Sequence, residues 1–248
     1  MTRIQQIRLP SLDDPDLAYE TGVHIGDGCM QVNEAKHDFR FSIWGSREEL
    51  GYYKNTLKPM LIRLYGLKNV KVKKVSTEPT IYLRVCSKQL VIFKHEKLGL
   101  PIGKKSQISS LPAFVKESQK LLKECISGIV DTDGSLTFLK KEKDLHDYPR
   151  ISISISNEAL MNDINIQLRK MEFETAFSSR VRFDNRTGNR YSHWEIDING
   201  RKMLEKWMRE VGFRNQIHLS KFEVWAKQGF CPPRSTLERR YQLSNRKN

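Results

Sequence analysis

Leu17-Ala-Tyr-Glu-Thr-Gly22-Val-His-Ile-Gly26-Asp27-Gly28 closes on the pattern Gly-x₄-Asp-Gly, and Cys125-Ile-Ser-Gly128-Ile-Val-Asp-Thr-Asp133-Gly134 closes on it again. Gly22, Asp27 and Gly28 each recur 106 residues later, as Gly128, Asp133 and Gly134. A lone Asp-Gly marks a turn or a helix stop. Two copies in register, each behind an amphipathic run and ahead of strand-like sequence, point instead to an internal duplication.

The first motif run has a helix start: Asp14 suits an N-cap, and Pro15 fits the first turn, where its missing N–H costs nothing. Leu17, Ala18, Thr21, Gly22, Ile25 and Gly26 then follow helical spacing on a face that narrows to small residues. Leu121, Leu122, Cys125, Ile126, Ile129 and Val130 keep the same period in the second copy. Gly28 is expected to end the first helix in a left-handed conformation, and Gly134 to end the second.

Beyond each motif the period changes to two. Phe39, Phe41 and Ile43 alternate with polar residues, as do Ile81, Leu83 and Val85. In the second half the alternation runs through Arg150–Ser156, through Arg180–Phe183, and through His193–Ile198. Such strands put one sheet face on a core and leave the other outward. Helical runs near 46–65, 87–98, 157–172, 200–211 and 215–228 separate the strand pairs. The expected organisation is α+β with two pseudo-symmetric αββαββα halves. Residues 1–103 form the first, 104–114 a linker, 115–229 the second, and 230–248 a basic tail that is mobile or follows a partner's backbone.

At 248 residues and a net charge of +14 the chain is strongly basic, and the charge is shared. Residues 1–106 carry 18 basic and 11 acidic side chains, residues 107–248 carry 25 and 18, so each part is +7. An even distribution suits a long polyanion touching both halves, most simply a nucleic acid. Four scattered cysteines offer neither a zinc site nor a disulfide framework. No apolar run approaches the length of a membrane span, and no secretion signal is recognisable. The expected setting is intracellular, cytoplasmic or organellar, with no membrane partner.

A helix ending in Asp-Gly gathers unpaired carbonyls, the negative end of the helix dipole and a carboxylate. That arrangement is unfavourable until a cation arrives, and its oxygens are ligands that Mg²⁺ accepts. A cation between acidic groups can activate water and stabilise the leaving oxygen of a phosphodiester. Outward strand residues fit the same partner. Arg40, Ser42, Lys71, Lys73, Tyr82 and Arg84 come from the first half, and Ser152, Ser154, Arg180, Arg182, His193, Glu195 and Asp197 from the second. Basic and hydroxyl side chains contact phosphates or base edges, acids accept from cytosine, and β-ribbons fit the major groove.

Together these features resemble the LAGLIDADG homing endonucleases in their single-chain form, over the whole length. Gly99-Leu-Pro-Ile-Gly-Lys-Lys-Ser106 with Leu111-Pro112, and Gly212-Phe-Arg-Asn with His218-Leu-Ser-Lys221, are also similar to that family. The resemblance implies motif helices at a pseudo-twofold interface and sheets forming a saddle over DNA. It implies a monomer that cuts both strands of a long asymmetric double-stranded target across the minor groove, leaving short 3′ overhangs. Asp27 and Asp133 would be catalytic metal ligands, completed by the carbonyls of Gly26 and Thr132. The metal would be Mg²⁺, with Mn²⁺ or Ca²⁺ as substitutes. Lys105 (or Lys104) and Lys221 occupy segments where similar proteins place a lysine that orders water or stabilises charge. The family is intron-encoded, so host intron RNA is a second candidate partner. An RNA-binding maturase and a catalytically silent DNA binder are the alternatives on this scaffold. Ile25 stands where the second motif has Asp131, which predicts inequivalent halves.

Overall fold

In the computed structural model, residues 7–104, 107–141, 144–183 and 188–245 are described. Two four-stranded antiparallel sheets carry the fold, and they share one strand order, first-second-fourth-third. The chain divides into two compact units, one through Thr132 and one from Asp133.

In the first unit, helix α1 (Pro15–Asp27) runs directly into β1 (Gly28–Asn33), which pairs with β2 (Asp38–Ser46). A helical run follows, made of α2 (Leu50–Tyr52), a π-helical turn (Tyr53–Leu57) and α3 (Lys58–Tyr65). Strands β3 (Val72–Lys74) and β4 (Thr80–Cys86) complete the sheet, and α4 (Lys88–Ile92) with a second π-helical turn (Phe93–Lys97) closes the pattern. In the second unit the same order recurs: β5 (Gly134–Leu139), β6 (Tyr148–Ile155), α7 (Glu158–Lys170), β7 (Thr175–Phe183), β8 (Arg190–Asn199), α8 (Arg201–Glu210) and α9 (Gln216–Gln228). The period-two residues behave as their alternation requires. Phe41, Ile43, Ile81, Leu83, Val85, Ile151, Ile153, Ile196 and Ile198 are all buried.

The unit boundary falls at the end of the second motif helix, α6 (Gln119–Asp133), because α6 packs on α1. Their backbones meet at the motif glycines. A Cβ built on Gly22 would lie 2.9 Å from the Cys125 carbonyl carbon and 3.0 Å from the Ile129 nitrogen. One built on Gly128 would lie 2.8 Å from the Val23 nitrogen and 3.1 Å from the Gly22 Cα. These neighbours are backbone atoms, which cannot swing aside.

Beneath α1 lies a buried polar layer. Lys94 donates from Nζ to both carboxylate oxygens of Glu20, at 2.7 and 2.6 Å, and the Tyr65 hydroxyl donates to Glu20 at 2.9 Å. The ammonium also sits 4.3 Å from the centre of the Phe41 ring. Burial pulls the Lys94 amine below its ordinary range, against the upward pull of the Glu20 charge.

Two expectations need correction. Gly28 is extended rather than left-handed, with φ −81° and ψ 157°. It is the first residue of β1, and its Cβ position would lie 2.5 Å from the His24 Cα, so lack of a side chain matters there for space. Gly134 likewise opens β5. The tail after Cys231 is not loose: it forms α10 (Leu237–Asn245), which packs on α9, with Arg240 buried and its Nε donating to Ser220 Oγ at 2.8 Å. The stretch ahead of α5 (Ala113–Lys116) is anchored, with Leu100, Ile108 and Leu111 buried and the Gly103 amide donating to the Met30 carbonyl at 2.9 Å.

Candidate nucleic-acid and metal site

Asp27 is the last residue of α1 and is half-buried. The helix stops there, so the carbonyls of Gly26 and Asp27 have no amide four residues on within it. The Gly28 amide satisfies the carbonyl of His24. Asp133 ends α6 in the same way, also half-buried. Ahead of it the Thr132 hydroxyl donates back to the carbonyls of Gly128 and Ile129, at 3.0 and 3.1 Å, which pins that side chain to the helix.

Among the described residues no three His, Cys, Asp or Glu side chains cluster as a closed metal cage. Each motif end instead offers one carboxylate beside backbone carbonyls. Hard oxygen donors in that small number suit Mg²⁺, which keeps several waters and takes one or two carboxylates together with substrate phosphates. The oxygens present fit such a cation, which Asp27 with the Gly26 carbonyl would hold in the first unit and Asp133 in the second.

The outward face of the first sheet is set by register. Arg40 opposes Cys86, Ser42 opposes Arg84, and Trp44 opposes Tyr82, with Lys73 next to Tyr82 on the far side. Trp44 and Tyr82 rings lie 4.7 Å apart, and the Arg84 guanidinium sits 4.8 Å from the Tyr82 ring. Arg84 Nε also donates to Ser42 Oγ at 3.1 Å. Arg84 is therefore held ready by an aromatic platform and a buried hydroxyl. Arg40 is engaged by Asp38 through Nε at 2.8 Å. Lys73 is exposed on β3, and Lys71 is exposed just before it.

In the second sheet, Asp133 lines a concavity with Ser152, Ser154, His193 and Glu195. The structure thus brings one predicted metal ligand together with four predicted contact residues. Cross-strand pairs engage these side chains: Ser152 pairs with Asp197, Ser154 with His193, and Arg180 with Glu195 at 3.1 Å. The two faces therefore differ in kind, the first presenting cations on aromatics and the second cross-strand polar pairs. Arg182 lies in β7, but its side chain is outside the described residues.

Lys105 lies outside the described residues. Lys221, on α9, donates from Nζ to the Leu136 carbonyl at 3.0 Å and does not line the Asp133 concavity. Asp131 is buried and accepts from the Tyr19 hydroxyl at 2.6 Å. Because Tyr19 spends its hydrogen there, the contact of 2.6 Å between Tyr19 and Tyr52 has Tyr52 as donor. Ile25 is simply core.

Sequence reasoning missed Trp44, Gln31, Ser135, Thr137 and Arg150 on the outward faces. Arg150 opens one of the alternating runs, and Trp44 directly follows another. The others stand in β1 and β5, whose pairing partners alone reveal which way they point.

Solved structures share this fold. The homing endonuclease I-DmoI, in mesophilic variants, matches with a TM-score of 0.56 at 17% identity, covering 80% of this chain and 95% of its own. I-DmoI in complex with DNA and Ca matches at 0.53 and 18%, over 79% and 88%. I-SmaMI bound to uncleaved DNA target with calcium ions matches at 0.52 and 13%, over 87% and 90%. No protein-family model and no curated protein matches the chain. The fold is accordingly that of the homing endonuclease I-DmoI. Among the described residues, no helix is long and apolar enough to cross a membrane.

Proposed function

We propose that this protein is a sequence-specific, metal-dependent endonuclease of double-stranded DNA, acting as a monomer and encoded within an intron. One observation carries the reading: both motif helices end in a half-buried Asp at an oxygen-rich helix terminus, each leading straight into a sheet with a polar outer face. Solved structures of the same fold include complexes with target DNA and Ca, Mn or Mg. The halves expected at 1–103 and 115–229, joined by 104–114, belong to the same proposal, as does cleavage that leaves short 3′ overhangs.

In this reading Asp27 and Asp133, with the carbonyls of Gly26 and Thr132, hold divalent metal, Mg²⁺ in the cell. A bound cation would supply an activated water and offset charge on the leaving oxygen. The chain's own contribution is to fix the two acids at rigid helix ends and to hold the duplex by its sheet faces. Arg84 and Arg40 contact phosphates or guanine edges in one half-site; in the other, Ser152, Ser154 and His193 contact phosphates or base edges, and Glu195 and Asp197 accept from cytosine. Lys221 acts by bracing β5, the strand that leaves Asp133. No observation favours host RNA as the partner. A catalytically silent DNA binder leaves a carboxylate at each helix end, beside a polyanion, without a use.

The test is cleavage of a plasmid carrying the uninterrupted host sequence, in Mg²⁺, with Asp27→Asn and Asp133→Asn as controls. Double-strand cleavage by the wild type alone is expected. If all three proteins bind the site equally and none cuts, the endonuclease reading fails. A dimeric mass in solution would contradict the monomer.

A further inference from the structure

Tyr52 and Tyr53 are consecutive, fully buried, and differently employed. The Tyr52 hydroxyl joins the Tyr19–Asp131 network. The Tyr53 hydroxyl has no hydrogen-bond partner among the described residues. An unsatisfied buried hydroxyl is costly, and in native structures such a group calls for a reason.

Its position supplies one. Tyr53 opens the π-helical turn Tyr53–Leu57, a distortion frequent at functional sites. The phenol end of the ring packs against Gly45, where an added Cβ would fall 2.5 Å from the hydroxyl and 2.8 Å from two ring carbons. A side chain at residue 45 would therefore expel the phenol. Gly28 pairs with Ile43, so Asp27, the helix residue just before it, lies near the end of β2 that carries Trp44 and Gly45. Burial first, and then the nearby charges of Asp27 and Glu49, hold the phenol protonated far above its ordinary range. At neutral pH the phenol keeps its hydrogen and is able to donate it.

We propose that Tyr53 is the positioning residue for Asp27: when a divalent cation seats at that carboxylate, the phenol donates to the oxygen turned away from the cation and fixes its orientation. This rests on the endonuclease reading above. Ligating carboxylates need such outer partners, and losing one weakens metal affinity or activity by roughly 10–100-fold. The device serves one centre only. Among the described residues, the concavity beside Asp133 is lined by hydroxyls of Ser135, Thr137, Ser152 and Ser154, and by no tyrosine.

The experiment is Tyr53→Phe, which keeps the ring and removes the donor. Without metal or DNA its thermal midpoint is expected to equal or exceed that of the wild type, since no protein hydrogen bond is lost. Calorimetric titration with Ca²⁺ of the protein–DNA complex is expected to show one of two sites weakened by roughly tenfold or more. On supercoiled target plasmid in Mg²⁺, the strand whose cutting Asp27→Asn abolishes is expected to slow by a similar factor, while the other keeps its rate, so nicked circles accumulate. Raised Mg²⁺ is expected to restore the slow strand. Equal slowing of both strands, unchanged Ca²⁺ affinity, or a lowered metal-free midpoint each overturns the assignment. If the wild type cuts neither strand, the endonuclease reading itself falls, and this assignment with it.

Discussion

Gly22 and Gly128 occupy one crossing: a Cβ on Gly128 would come within 3.1 Å of the Gly22 Cα. The duplicated glycine is thus a packing residue in both copies, and each copy presses on the other helix's backbone. Small residues permit such approach for steric reasons that hold in any solvent. Gly22→Ala or Gly128→Ala must drive α1 and α6 apart. Overpacking of this kind typically costs about 1–3 kcal/mol, and a clash with backbone belongs at the upper end. Urea denaturation checks this, and a loss under 0.5 kcal/mol would show that the helices separate easily.

Under the endonuclease reading, Arg84 is a better-prepared contact than Arg40. It rests on Tyr82 and is tied to Ser42, whereas Arg40 is engaged by Asp38. Arg84→Ala is expected to weaken specific binding by about 1–3 kcal/mol and to relax preference at one base pair. Arg84→Lys should not restore it, because an ammonium lacks the planar fork and the stacking. Competition binding in Ca²⁺ across single-base variants of the target provides the measurement. Equal losses on every sequence would make Arg84 a phosphate contact instead.

Much of this was readable in advance for a definable reason. Period-two alternation and the repeated Gly-x₄-Asp-Gly report local constraints, and the buried strand residues and the Gly22–Gly128 contact follow from them. What stayed hidden depends on distant partners. The Trp44–Tyr82–Arg84 group is assembled only by the β2–β4 register. Arg240 reads as a tail charge until Ser220 and the Ser235 carbonyl are seen to receive it. The π-helical turn at Tyr53 adds a residue to a helical run without disturbing its apolar period enough to be noticed. A glycine after a helix suggests a left-handed cap, whereas at Gly28 the chain passes straight into a strand.

Alkaline pH should expose the buried phenols. Burial is the main cause holding Tyr19, Tyr52 and Tyr65 well above the ordinary 10.0, followed by the Asp131 charge for the first two and the Glu20 charge for the third. Burial likewise pushes up the Cys125 thiol from 9.0. A raised native pKa disfavours the ionised form in the folded state. Stability from these groups is therefore complete below the unfolded values and falls as pH rises above 9 to 10, where the unfolded chain releases protons that the native one keeps. Urea midpoints should hold steady from neutrality to about pH 9 as far as these groups are concerned, then drop steeply. Phenolate absorbance from these tyrosines should appear only with unfolding. Their titration near pH 10 with native circular dichroism intact would contradict the burial.

The Glu20–Lys94 pair is the costliest polar element in the first unit, since both side chains are wholly buried. Removing one partner strands the other. Lys94→Met is expected to cost about 3–5 kcal/mol, because the Glu20 carboxylate keeps only the Tyr65 hydroxyl. The second motif shows another solution: the residue 106 positions after Glu20 is Ile126, fully buried in α6. A hydrophobic replacement of the whole group, Glu20→Ile with Lys94→Met and Tyr65→Phe, leaves no orphaned donor or acceptor. Such replacements are often neutral or stabilising by about 1–4 kcal/mol. The triple variant should therefore be more stable than Lys94→Met alone and close to the wild type. Chemical denaturation of the single and triple variants decides it. A triple variant no better than the single one would mean that the layer is held by shape around the Phe41 ring, rather than by compensation of charge.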